Sequence, residues 1–232
     1  MSPMRILPKK RQISIFGIRA VGKTTYLVML INKLSRMVNI SNMHILSGLD
    51  YYMKMMNWIL RGEGAPPTKA AERLLIHVRM KVNGQTVEVR TYDLAGSEIE
   101  RMGETFRALV DIGDGYIFLI EPSPDPDKKV IQVWLIYRFI EYLTQGFKKP
   151  VKKPIAFVFT KNDLYGIKAP EQYFWKYTKP VYNLAQTFHK LKKFNFFAVS
   201  AFGGDLETLR AQDKDPQPID IEKPFFWLIE NS

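Results

Sequence analysis

Short continuous apolar runs recur along the chain, separated by stretches in which apolar residues return every third or fourth position. Residues 12–16 read as a first strand, and 116–120 and 155–159 as the uninterrupted runs of strands covered on both faces. Leu27, Leu30, Ile31 and Leu34 fall on one side of a helix over 23–34. Two β-rich runs, 74–82 and 86–92, flank Asn83-Gly84. That pair accepts the positive φ angles of a tight turn, so the two runs are expected to be antiparallel neighbours. A helix over 99–110, another over 130–143, a largely helical stretch over 171–191 broken near Pro180, and a last strand over 194–199 complete the series.

Two regions fit the alternation less well. Between 36 and 67 the pattern gives only a short helix over 50–60, with Tyr51, Met55, Trp58 and Ile59 as its apolar side, before Gly62-Glu63-Gly64-Ala65-Pro66-Pro67 breaks it. Residues 203–224 are polar and contain prolines, which predicts a loop, followed by a short closing helix over 224–230. Strands alternating with helices predict an α/β fold with a mostly parallel sheet and one antiparallel hairpin pair. The simplest organisation is a single domain over 1–232, with an insertion at about 36–67 and an extension at about 203–232.

Composition narrows the chemistry. The 232 residues contain no cysteine, which excludes disulfides, thiolate catalysis and cysteine zinc sites. Three scattered histidines, His44, His77 and His189, lack metal-ligand spacing. No apolar run is long enough to cross a bilayer, and the basic segment 1–11 leads into a chemical motif rather than a signal peptide. A cytoplasmic location is expected. The net charge of +11 attracts anions. Lysines and arginines gather at 9–11, at 148–153 and at 190–193. These runs permit peripheral contact with an acidic membrane surface or an acidic protein. Nucleic acid is disfavoured, because no aromatic-interleaved basic module is present.

The strongest chemical signal is Gly17-Ile18-Arg19-Ala20-Val21-Gly22-Lys23-Thr24, set between a strand and a helix. Glycines let the backbone curl so that successive N–H groups face phosphate oxygens, and the helix aims its positive end at the same anion. Gly17, Ala20, Val21, Gly22, Lys23, Thr24 and Thr25 are the candidate phosphate-binding residues. Lys23 supplies a cation for the β- and γ-phosphates, and the Thr24 hydroxyl a ligand for Mg²⁺.

Three later elements bear on the base. Asp93-Leu94-Ala95-Gly96 follows the second hairpin run: Asp93 can hold Mg²⁺ through water, and the Gly96 N–H can meet a γ-phosphate. Thr160-Lys161-Asn162-Asp163 follows the 155–159 run. The Asp163 carboxylate can accept from both the N1–H and the exocyclic amine of guanine, a donor pair that adenine lacks. The Lys161 stem can lie along the base. Ser200-Ala201 follows the last strand, where the Ala201 N–H can meet guanine O6.

This ordered set, spanning roughly 13–202, resembles the Ras-like small GTPases. The resemblance implies a three-layer α/β fold, binding of GTP and GDP with Mg²⁺, hydrolysis of GTP to GDP, and loops that signal the nucleotide state to an effector under the control of activating and exchange partners. It also implies a threonine ahead of the hairpin that binds Mg²⁺ and senses the γ-phosphate, and Thr68 fits that position.

The departures are specific. Arg19 stands where such proteins usually have glycine, Ser97 (followed by Glu98) where they have a catalytic glutamine, and Thr160 where asparagine is commoner. Ser97 is too short to copy the glutamine, so slow unassisted hydrolysis is expected. The missing charge comes either from a partner or from Arg19 in cis, unless Arg19 faces solvent or pairs with Glu98. Ser2 stands where myristoylation needs glycine, and no cysteine is available for prenylation. These features suggest a divergent, prokaryotic-type member. Two other readings remain open: a nucleotide-fuelled ATPase or GTPase that drives assembly or transport, and a GTP-binding module with negligible hydrolysis.

Overall fold

The computed structural model describes residues 9–61, 74–82, 85–93 and 103–232. Seven strands form one sheet: β1 (Lys9–Phe16), β2 (Ile40–Ser47), β3 (Leu74–Val82), β4 (Gln85–Asp93), β5 (Gly115–Ile120), β6 (Ile155–Phe159) and β7 (Phe194–Ala198). Their order is β2-β3-β4-β1-β5-β6-β7. β1, β4, β5, β6 and β7 run parallel. β5 and β6 are buried along their whole lengths, as their uninterrupted apolar sequences require of central strands.

Helices cover both faces. α1 (Lys23–Leu34) packs on α2 (Leu49–Leu60) and on β4. The Tyr26 hydroxyl of α1 donates to the Ile221 carbonyl at 3.1 Å, just ahead of the last helix, Lys223–Asn231. That last helix packs on β5 and β6. On the other face lie α3 (Glu104–Ile112) and α4 (Pro126–Leu143). There Phe16 meets Phe106 at 5.0 Å and Phe139 at 5.3 Å, and Tyr116 and Phe118 meet Phe139 at 5.4 Å. Edge-to-face and tilted rings of this kind add to the area they bury.

The expected three-layer α/β fold is present, and the hairpin pair is β3 with β4, in register from Val82↔Gln85 to Leu74↔Asp93. The structure adds a second antiparallel pair, because β2 joins the sheet as an edge strand against β3. The sequence 40–47 gave no strand signal because only Ile40 is buried, while polar and apolar residues mix on the exposed positions. Pairing with β3 makes this strand, and register shifts between Ser41 and His44 and between Ile45 and Ser47 bend it. Within the region expected as an insertion, the described residues 36–61 hold a strand and a helix.

Other boundaries moved for local reasons. α4 starts at Pro126 rather than at 130, because Asp125 caps it by accepting from Asp127 N at 2.9 Å and proline fits the first turn. After a short α5 (Asn162–Tyr165), the stretch 171–191 breaks as expected, into α6 (Pro170–Thr178) and a shorter α7 (Ala185–Phe188). The region expected to be loop, 203–224, contains α8 (Leu206–Ala211), capped by Asp205, which accepts from Thr208 N at 2.9 Å. The closing helix, Lys223–Asn231, is α9. The helix expected over 99–110 is α3, and Ile99 itself lies outside the described residues.

Candidate functional site

The first site element is the turn between β1 and α1. Gly17 has φ of +147°, and a Cβ there would lie 2.8 Å from both the Leu119 carbonyl oxygen and Val21 Cγ1, so no side chain fits. Gly22 has φ of +93° with open space around it, and its requirement is conformational alone. Ala20 also adopts positive φ, +61°. Alternation of this kind turns backbone N–H groups toward a common centre, the arrangement that holds anions. The N-terminus of α1 has no side-chain cap and no acidic residue in its first turn, which leaves its positive end suited to phosphate.

Lys23 is buried, and its ammonium donates to the carbonyls of Gly17 at 3.1 Å and Ile18 at 3.0 Å. The cation is therefore held inside the loop, among the backbone groups that would face a phosphate. Thr24 is buried beside it, and Arg19 is exposed on the loop.

The second element gathers at the ends of β6 and β7. Thr160 donates its hydroxyl proton to the carbonyls of Val21, at 3.1 Å, and Ile120, at 3.4 Å, which ties the segment after β6 to the first turn. Asn162 N donates to the Val199 carbonyl at 3.0 Å, which joins the β6 and β7 exits. The Ser200 hydroxyl donates to Asp163 Oδ1 at 2.5 Å and accepts from Gly203 N at 2.7 Å. Ser200 thereby leaves the second carboxylate oxygen of Asp163 for another donor. The segment 200–202 is in turn braced by Ile219 and Gln217 through backbone hydrogen bonds.

The two elements share one cavity of about 220 Å³. Val21, Gly22, Thr25 and Tyr26 line it from the first turn and α1, and Thr160, Lys161 and Asp163 from the β6 exit. Val199, Ala201, Phe202 and Asp205 close it from the β7 exit. Gly17, Lys23 and Thr24 continue the same turn, and Asp93 ends β4, paired through its backbone with Ile15 and Leu74. Thr68, Gly96, Ser97 and Glu98 lie outside the described residues.

One charged residue beside the cavity was not legible in the sequence. Glu121, directly after β5, is buried and bridges two lysines: Lys161 Nζ reaches Oε1 at 2.8 Å, and Lys128 pairs with Oε2. The Glu121 backbone is fixed by Gln132, which accepts from Glu121 N at 2.8 Å and donates to its carbonyl at 2.9 Å. Burial pushes this carboxyl up, but the hydrogen bonds and charges of Lys128 and Lys161 outweigh burial and hold it below the usual carboxylate range. The available signal was an acid directly after a fully apolar strand, where an unpaired charge would be costly.

Glu121 holds Lys161 along the cavity wall, so Glu121→Gln is expected to cost about 2 kcal/mol of stability near neutral pH. The folded pKa is depressed, so this stabilisation is complete above the ordinary carboxylate pKa and disappears as pH falls through the folded value. Urea midpoints of the native chain and the variant should differ at about pH 7 and draw together as pH falls below the ordinary carboxylate range.

The sheet and its flanking helices have the α/β fold of the Ras-like GTPases. No family model matches the chain, and no curated protein matches it in sequence. Among solved structures it is similar to the Arl6 BBS3 small GTPase of Trypanosoma brucei with bound nucleotide analogue GppNp. The two share 17% identity at a TM-score of 0.50, over 96% of each chain. At that identity the likeness is one of fold.

Proposed function

We propose that this protein is a guanine-nucleotide switch that binds Mg²⁺-GTP and hydrolyses it slowly to GDP. The observation that carries the reading is the cavity in which the phosphate-type turn and the Asp163 carboxylate face one another. A nucleotide placed there sets its phosphates on the Gly17–Thr24 turn and its base between Lys161 and Ala201. The Asp163 oxygen not taken by Ser200 then receives the N1–H and amine of guanine.

The glycine turn fits a triphosphate, since Gly17 and Gly22 leave the backbone bare and Lys23 already sits among its carbonyls. Thr24, Asp93 and Thr68 are the residues assigned to Mg²⁺, which would supply charge neutralisation across the β- and γ-phosphates. Lys23 and Gly96 are assigned to the γ-phosphate, and Ser97 stands where a water-positioning side chain would act. The exposed Arg19 or a partner's cation completes the charge for hydrolysis. The segments that contain Thr68 and Gly96 are assigned to report the nucleotide state to an effector, with activating and exchange partners setting its lifetime. The divergent motifs favour a prokaryotic-type branch.

Single-turnover assays with Mg²⁺-GTP test this reading. The purified chain is expected to form GDP at a rate on the order of 10⁻² s⁻¹ or slower. Turnover at about 1 s⁻¹ or faster without a partner would end the slow-switch assignment.

A further inference from the structure

The lysine runs that the sequence scatters over forty-odd residues meet on one face. β6 and β7 are parallel, so the segments entering them lie at the same end of the sheet. Lys148, Lys149, Lys152 and Lys153 precede β6, and Lys190, Lys192 and Lys193 precede β7. A parallel bridge between Val151 and Leu191 joins the two segments. Val151 N donates to the Lys190 carbonyl at 2.9 Å, Lys192 N to the Val151 carbonyl at 2.9 Å, and Ile155 N to the Lys193 carbonyl at 3.0 Å.

The turn ahead of the first run is shaped locally. Gln145, Gly146 and Phe147 all adopt positive φ, and buried Thr144 anchors the turn by accepting from Phe147 N at 3.0 Å. Lys148, Lys149, Lys152, Lys192 and Lys193 are exposed. An adjoining groove of about 660 Å³ is lined by Arg107 and Arg138 with Asp111 and Glu141, and its net positive charge comes from Lys149, Lys152 and Lys153. Three nearby acids are held in place and only partly offset the seven lysines: Tyr142 donates to Asp111, Arg138 pairs with Glu141 at 3.3 Å, and Gln12 N donates to Asp114 at 2.8 Å. Ile112, at the end of α3 on the same side, is 55% exposed.

We infer that this face docks the protein on an anionic lipid bilayer. Every basic residue of the two runs is lysine, a hydrated point charge suited to mobile headgroups rather than to the forked recognition that arginine gives. An exposed aliphatic residue beside the patch suits the headgroup boundary. The face opposes the strand ends that carry Gly22, Asp163 and Ala201, so docking leaves that cavity turned to solvent. The inference stands on the charge and topology of this face and is independent of which nucleotide the protein binds.

The test is co-sedimentation of the full chain with vesicles of phosphatidylcholine alone and with roughly 30 mol% phosphatidylserine, at about 0.1 M salt. Each lysine near such a surface contributes roughly fivefold in partitioning. The chain is expected to favour the anionic vesicles at least about fiftyfold, with most of the preference lost at about 0.5 M salt. Lys149→Glu/Lys152→Glu/Lys192→Glu should abolish the preference without changing the melting temperature. The charge-matched Lys54→Glu/Lys176→Glu/Lys214→Glu should retain most of it. Equal binding to both vesicles, equal losses in the two triple variants, or binding to duplex DNA or polyglutamate but not to anionic vesicles would each overturn the inference.

Discussion

Asp163→Asn is expected to lower affinity for GTP about a thousandfold, close to 4 kcal/mol, and to raise affinity for xanthosine triphosphate. The hydrogen bond from Ser200 gives the reason. Ser200 donates to one Asp163 oxygen, and its own oxygen already accepts from Gly203 N. An asparagine at this position keeps its carbonyl oxygen toward Ser200 and turns its NH₂ into the cavity. That donor faces the N1–H and amine of guanine, two further donors, and leaves them unpaired. The 2-oxo group of xanthine accepts from it instead. Competition between the two triphosphates for the variant and the native chain measures the exchange of preference. Unchanged GTP affinity would remove Asp163 from the base site.

Lys23→Ala is expected to weaken Mg²⁺-GTP binding by about two to three orders of magnitude, through loss of a charge-assisted contact to phosphate. The same ammonium bonds the Gly17 and Ile18 carbonyls, so the variant should also lose about 2 kcal/mol of stability. Affinity alone would therefore confuse a damaged fold with a lost cation. Guanosine separates them, because it reaches the base site without touching the phosphate turn. Lys23→Ala should leave guanosine binding, weak as it is, nearly unchanged, whereas Asp163→Asn should reduce guanosine and GTP together. A parallel loss of guanosine binding in Lys23→Ala would show that the whole site had collapsed.

Some of this architecture was legible in the chain because local chemistry left no alternative. Gly17 and Gly22 hold backbone angles and a close approach that other residues resist, so the turn announced itself. β5 and β6 are apolar throughout because both of their faces are covered. Thr160 directly follows β6 and Ser200 lies two residues past β7, strands whose ends bound the cavity, and their order along the chain was readable before their proximity. What escaped depends on distant partners. β2 is a strand only because β3 lies beside it. Thr160 ties the β6 exit to Val21 across 139 positions, and Glu121 reaches Lys161 across 40, relations that no local pattern carries. The lysine runs were visible as composition, but their union needed the parallel pairing of β6 with β7.

Calorimetric titration of the purified chain with Mg²⁺-GTP and, in parallel, Mg²⁺-ATP tests the central assignment most directly. A carboxylate that reads two guanine donors should favour GTP by about a thousandfold or more. Equal affinities, or tighter binding of ATP, would contradict the assignment of Asp163 to the base and of this cavity to guanine.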